Sequence, residues 1–189
     1  MSNKKHIVQY VLTLCLSFVL LWGCFPARAV AVEPTDYDFS AGLEAALADF
    51  MESHRMTEQN FSFGWRDLTD GTEYLINGNQ FSVGGSMYKL PLAMCCFDML
   101  AEGSLSESDP VGGFSVGVAL RLAIVSSNND AAQALRHRIS YDLKEYRNTL
   151  AKYSGLDPET FPPEYYTANN LSPRFLLNTL QVLYDRSED

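Results

Sequence analysis

Hydrophobic and polar positions change period several times along the chain, and each change marks an element. Leu43, Leu47, Phe50 and Met51 recur at helical spacing within residues 41–53, which predicts an amphipathic helix resting on something apolar. Phe61, Phe63 and Trp65 alternate with Ser62, Gly64 and Arg66, the period of a half-buried strand. Asp70-Gly71 predicts a turn, and Tyr74, Leu75 and Ile76 a second strand that ends at Asn77-Gly78. Residues 88–100 are apolar on nearly every side, so this helix is expected to be enclosed by protein. A polar, glycine-containing loop comes next at 104–113. Helical patterns cover 116–125 and 130–139, separated by Ser126-Ser127-Asn128-Asn129. A further helix is expected within 141–153, a proline-rich loop at 154–166 and a last amphipathic helix over 172–185. A helix and hairpin followed by a mostly helical middle and end reads as α+β.

The first 29 residues have a different character. Lys4 and Lys5 precede an apolar run from Ile7 to Phe25, and Ala27, Ala29 and Ala31 follow at alternate positions. A basic start, an apolar middle and an A-x-A exit predict a signal peptide over 1–29 that delivers the domain to the extracellular side of the cytoplasmic membrane. Two alternatives keep the chain on that membrane. The run is long enough for an uncleaved anchor, and Leu21-Trp22-Gly23-Cys24 loosely resembles a lipoprotein box.

Composition narrows the function classes. The 189 residues are 47% hydrophobic and 20% charged, the makeup of one globular domain or most of one. A net charge of −9 argues against nucleic acid or anionic lipid as a partner. Loss of residues 1–29 would remove three positive charges and two cysteines, leaving Cys95 and Cys96. Adjacent helical cysteines point about 100° apart and do not readily bridge, so both read as buried apolar fillers. No His/Cys spacing suggests a metal, no organic cofactor is implied, and the scattered His6, His54 and His137 argue against a histidine triad.

Two clusters could carry chemistry. In Ser86-Met87-Tyr88-Lys89 a serine and a lysine three apart share a helical face, so the amine can reach the hydroxyl. A serine hydroxyl becomes an effective nucleophile when a base takes its proton, and burial can fit a lysine for that task. Ser86, on the first helical turn, would also offer its own N–H to a developing oxyanion. A serine N-cap followed by a lysine reaching to water fits the same four residues. In Ser127-Asn128-Asn129, a serine and an asparagine two apart in an extended link can point into one cleft, where the serine relays a proton and the asparagine binds an amide. Helix capping again fits these residues, and Ser126-Ser127-Asn128 fits the same S-x-N spacing.

The segment from Phe81 to Leu92, Phe-Ser-Val-Gly-Gly-Ser-Met-Tyr-Lys-Leu-Pro-Leu, closely resembles the active-site segment of class A β-lactamases and related penicillin-recognising serine hydrolases. Asp98 to Leu105 is similar to that family's helix end and loop. Ala119 to Ala132 resembles its S-D-N segment with Asn128 in place of the usual aspartate, a register that assigns the roles to Ser127 and Asn129. Tyr166 to Leu171 resembles the helix start after the family's Ω loop. The resemblance covers residues 40–185 in the family's order. It implies a β-lactamase/transpeptidase-like α+β fold in which Ser86 attacks a β-lactam or acyl-D-alanyl carbonyl. Lys89 is then the base or part of its relay, Ser127 passes the proton to the leaving nitrogen, and Asn129 binds the substrate's side-chain amide.

Two departures qualify that implication. The family's deacylating glutamate belongs to an E-x-x-x-N pattern; Glu159 and Glu164 lie in the right stretch, neither with that asparagine. Glu164 is the candidate for a shifted base, against the plainer reading of an exposed loop carboxylate. No K-T-G triplet comes after the last helix, so residues 30–189 are expected to be an incomplete domain lacking the C-terminal sheet strands. The expectation is therefore a monomeric, cell-envelope serine hydrolase of β-lactamase type, with little turnover by a chain truncated in this way. A peptidoglycan D,D-carboxypeptidase or esterase of the same superfamily and a non-catalytic envelope binding domain stand as alternatives.

Overall fold

A computed structural model describes residues 39–186, so the expected signal segment over 1–29 lies outside the described residues. The chain divides between Gly42 and Leu43 into two units, and the second holds the strands and all the later helices. Helix α1 (Phe39–Ser53) buries Leu47, and Phe50 stacks on His54 with ring centroids 4.2 Å apart. Strands β1 (Phe63–Arg66) and β2 (Glu73–Ile76) pair antiparallel with Trp65 opposite Tyr74. Their turn closes where expected: Gly71 has φ +78° and Asp70 Oδ1 accepts from Thr72 N at 2.8 Å. Asn77, also left-handed at φ +52°, ends β2, and its Nδ2 donates to Phe61 O at 2.8 Å.

The middle of the chain is helical, as the period indicates. α2 (Lys89–Ala101) buries Leu92 to Cys96 and exposes Phe97, so it is enclosed over its first two turns and half-open after them. Both cysteines are buried free thiols, and burial followed by the neighbouring thiol pushes Cys96 up to about 12. Among the described residues, four strands of two residues each complete the β structure: β3 (Ser82–Val83), β4 (Pro110–Val111), β5 (Phe114–Ser115) and β6 (Asn170–Leu171). β4 pairs with β5 at the end of the expected 104–113 loop, through a turn that places Gly112 and Gly113 at φ +53° and +85°. β3 pairs with β6 across the length of the chain.

Capping sets the remaining helices. α3 (Val116–Val125) starts at Ser115, α4 (Asn129–Ile139) at Asn128, and α5 (Leu143–Ala151) at Asp142, each side chain accepting a first-turn N–H. α4 begins with Asp130 and ends with Arg136, His137 and Arg138, charges that suit its dipole. The expected 154–166 loop holds a 3₁₀ turn at Pro158–Thr160 and the short α6 (Pro163–Thr167), because Pro158 and Pro163 each sit where a helical start needs no N–H donor. α7 (Pro173–Asp185) is capped by Ser172, with Pro173 at its first position.

Two apolar clusters organise this unit. Leu92, Cys96, Val116, Leu120, Leu135 and Tyr146 fill the space among α2, α3, α4 and α5. Phe161, Tyr165, Leu171 and Phe175 form the second, with Phe81 against it; the Phe161 and Tyr165 rings meet edge-on at 4.6 Å. Tyr88, two residues after Ser86, packs against both clusters. Among the described residues no helix is long and apolar enough to cross a membrane.

Candidate active site

Ser86 lies in a 3₁₀ turn, Gly85–Tyr88, and α2 begins only at Lys89. This differs from the expected first α-turn and tightens the pair, because side chains at i and i+3 eclipse in a 3₁₀ helix. Glycine suits both positions before the serine: Gly85 has φ +53°, where a side chain would be strained, and a Cβ on Gly84 would press on Leu171 Cδ1 at 3.0 Å.

Lys89 is the one buried member of the cluster, at 3% exposure, whereas Ser86, Ser127 and Asn129 are open to solvent. Its Nζ meets four oxygens: Ser127 O at 2.5 Å, Asn129 Oδ1 at 2.8 Å, Ser127 Oγ at 2.9 Å and Ser86 Oγ at 3.3 Å. Ser127 Oγ donates to Ser86 Oγ at 2.9 Å. A tetrahedral amine has at most three hydrogens, so four oxygens exceed its donors. The contact to Ser86 Oγ is the longest of the four, so it is the one the amine holds least tightly. Hydroxyl hydrogens rotate, which lets protons pass among Ser86, Ser127 and Lys89 without movement of heavy atoms.

The link to α4 explains how Ser127 presents both its oxygens. Ser127 is not extended, as the sequence suggested, but left-handed at φ +50°, a conformation that costs a serine about 1–2 kcal/mol. Asn128, extended, turns its side chain into the helix and caps Ala131 N at 2.8 Å. Capping therefore accounts for Asn128, and the register that places Ser127 and Asn129 together on Lys89 is the one the structure has.

Glu164 stands exposed on the first turn of α6 and shares no hydrogen bond with Ser86, Lys89 or Ser127. From the same stretch it is Asn169 that reaches the serine turn: its Nδ2 donates to Gly85 O and its O accepts from Gly84 N at 2.8 Å. Asn169 Oδ1 accepts in turn from the buried Arg147 at 3.0 Å. Sequence reasoning assigned Arg147 no part. Its signal was the spacing of Tyr146, Arg147, Leu150 and Ala151, which puts a guanidinium on the buried face of α5. Beside the turn, a groove of about 450 Å³ between β1 and α7 is lined by Phe63, Met87, Leu90, Leu176, Leu177 and Leu180. No three His, Cys, Asp or Glu side chains gather as a metal site among the described residues.

The mixed, mostly helical architecture is the β-lactamase/transpeptidase fold over three quarters of the chain. A β-lactamase from Xanthomonas campestris is 18% identical and aligns over 75% of this chain and 61% of its own, with a TM-score of 0.54. A variant of the last common ancestor of Gram-negative bacteria class A β-lactamase is 20% identical over 75% of this chain and 62% of its own, at 0.57. The chain thus spans about three fifths of the length of these solved structures. At such identities the likeness is one of fold. No protein-family model and no curated protein matches the sequence.

Proposed function

We propose that the chain carries a serine acyl-transfer site of β-lactamase type, acylated at Ser86 by a β-lactam or an acyl-D-alanyl amide and then hydrolysed. The observation that supports this is the single buried amine whose four oxygen neighbours include both serine hydroxyls. Ser86 Oγ attacks the carbonyl while its proton moves to Lys89 Nζ, directly or through Ser127 Oγ. The carbonyl oxygen becomes an oxyanion, for which the Ser86 N–H is a donor. As the tetrahedral intermediate collapses, the C–N bond breaks and Ser127 Oγ passes a proton to the leaving nitrogen. Asn129 keeps Oδ1 on Lys89 and has Nδ2 free to donate to the substrate's side-chain amide carbonyl. Water then cleaves the ester; Glu164, the candidate base from sequence, is exposed on α6 and would have to move to Ser86 to serve that step. No metal or organic cofactor takes part in this sequence, and export to the envelope would bring the site to β-lactams and peptidoglycan stem peptides.

A fluorescent penicillin, a denaturing gel and mass spectrometry test the reading. Label on Ser86 that clears within minutes is expected of a lactamase, and Ser86→Ala should take none. Persistent label would redirect the reading to a peptidoglycan D,D-carboxypeptidase or esterase. Absence of label from folded protein would favour a non-catalytic binding domain.

A further inference from the structure

Arg147 is 4% exposed on α5 and forms no salt bridge among those of the described residues. Its Nε and Nη1 have no hydrogen-bond partner among the described residues. Its guanidinium lies 5.3 Å from the Tyr165 ring centroid, and Tyr165 Oη donates to Arg147 O at 2.7 Å. Burying a guanidinium with two of its nitrogens unpaired is costly, so the contacts that it does make call for an account.

What the guanidinium does make is specific. Nη2 donates to Ala168 O at 2.7 Å and to Asn169 Oδ1 at 3.0 Å. A guanidinium has donors only, so the Asn169 amide can face it only through its oxygen. Nδ2 is thereby turned the other way, onto Gly85 O, while Asn169 O holds Gly84 N. The adjoining β6–β3 ladder, Leu171 opposite Ser82 and Asn170 opposite Val83, fixes the strand leading into the turn. In a planar trans peptide the carbonyl and the following N–H point to opposite sides. Anchoring Gly85 O on Asn169 therefore aims the Ser86 N–H away from Asn169.

We infer that Arg147 is a positioning residue for the serine turn: through the Asn169 amide it pins Gly85 O and sets the direction of the Ser86 N–H that receives the oxyanion. The inference rests on the acyl-transfer reading of Ser86.

The discriminating variant is Asn169→Asp. A carboxylate still accepts from Arg147, and neutralises it, yet cannot donate to Gly85 O. In the full 189-residue chain, a melting temperature at or above the parent's is expected together with acylation by fluorescent penicillin slowed at least about tenfold. Arg147→Lys, also donor-only, should keep more of the rate than Arg147→Met. Parent-like acylation in Asn169→Asp overturns the inference. So does a rate loss that merely tracks the loss of melting temperature in every variant, the mark of an arginine needed only for folding. If the parent itself takes no label, the acyl-transfer reading fails, and the strap is judged by the backbone ¹⁵N–¹H resonance of Ser86. That resonance should move in both Asn169→Asp and Arg147→Met; an unmoved one overturns the inference on its own terms.

Discussion

Replacing Lys89 by methionine separates a catalytic amine from a structural one. Methionine keeps the length of the side chain in a site that is 3% exposed, so no large cavity opens. Four contacts disappear, but their partners are not stranded: Ser86, Ser127 and Asn129 are open to solvent, and water can take the place of the amine. Hydrogen bonds of this kind contribute about 1 kcal/mol each, and removing a polar group from a buried position offsets part of that. The expected net change in stability is within about 2 kcal/mol. The rate should respond differently, since loss of a positioned general base costs about 10²–10⁴-fold, or roughly 3–5 kcal/mol of barrier. Thermal unfolding and single-turnover labelling of Ser86 by a fluorescent penicillin, with mass spectrometry as the readout, measure the two quantities on one sample. Labelling at the parent rate, or a fold that collapses in proportion to the lost rate, would refute the assignment of Lys89 as the base.

Asn128→Ala should lower stability by about 1 kcal/mol through loss of the α4 cap, whereas Asn128→Asp should hold it; thermal melts check both. Acidification should weaken the fold through two carboxylates. Glu73 is held below its ordinary range first by the hydrogen bond from Arg66, with burial opposing and Arg174 assisting. Burial raises Asp98, but hydrogen bonds from Tyr153 and Lys152 and the charge of Arg186 outweigh it and leave the group lowered. Folded values below unfolded ones mean that this contribution is complete above about pH 5 and is lost as pH falls below about 4. Denaturant melts across that interval should show the loss, and Asp98→Asn should remove part of it. In the same contact, burial and then the bond to Asp98 push the Tyr153 phenol well above its usual range, so it stays protonated as the carboxylate's donor.

Local information in the chain was enough for much of this. The 3.6- and 2-residue periods located the first helix, the hairpin with its Asp70-Gly71 turn, the enclosed helix and the amphipathic last one, because each rests on neighbours within a few positions. The same reasoning paired Ser86 with Lys89, three residues apart, and the fold brought Ser127 and Asn129 to that amine. Beyond its reach is whatever depends on distant segments meeting. A two-residue ladder such as β3–β6 is too short to show a period, yet it joins Ser82 to Leu171. The left-handed backbone at Ser127 is not a local preference of serine, and Lys89, 38 positions away, binds the carbonyl of that residue. Arg147 looks in sequence like any charged residue on an amphipathic helix. Only burial of its α5 face turns it inward to Asn169, and only closure of β3 on β6 brings that asparagine to the serine turn. The chain's own pattern determined which elements form and which side chains could react, while long-range closure decided where the reacting groups point, since direction is fixed by contacts that no short window contains.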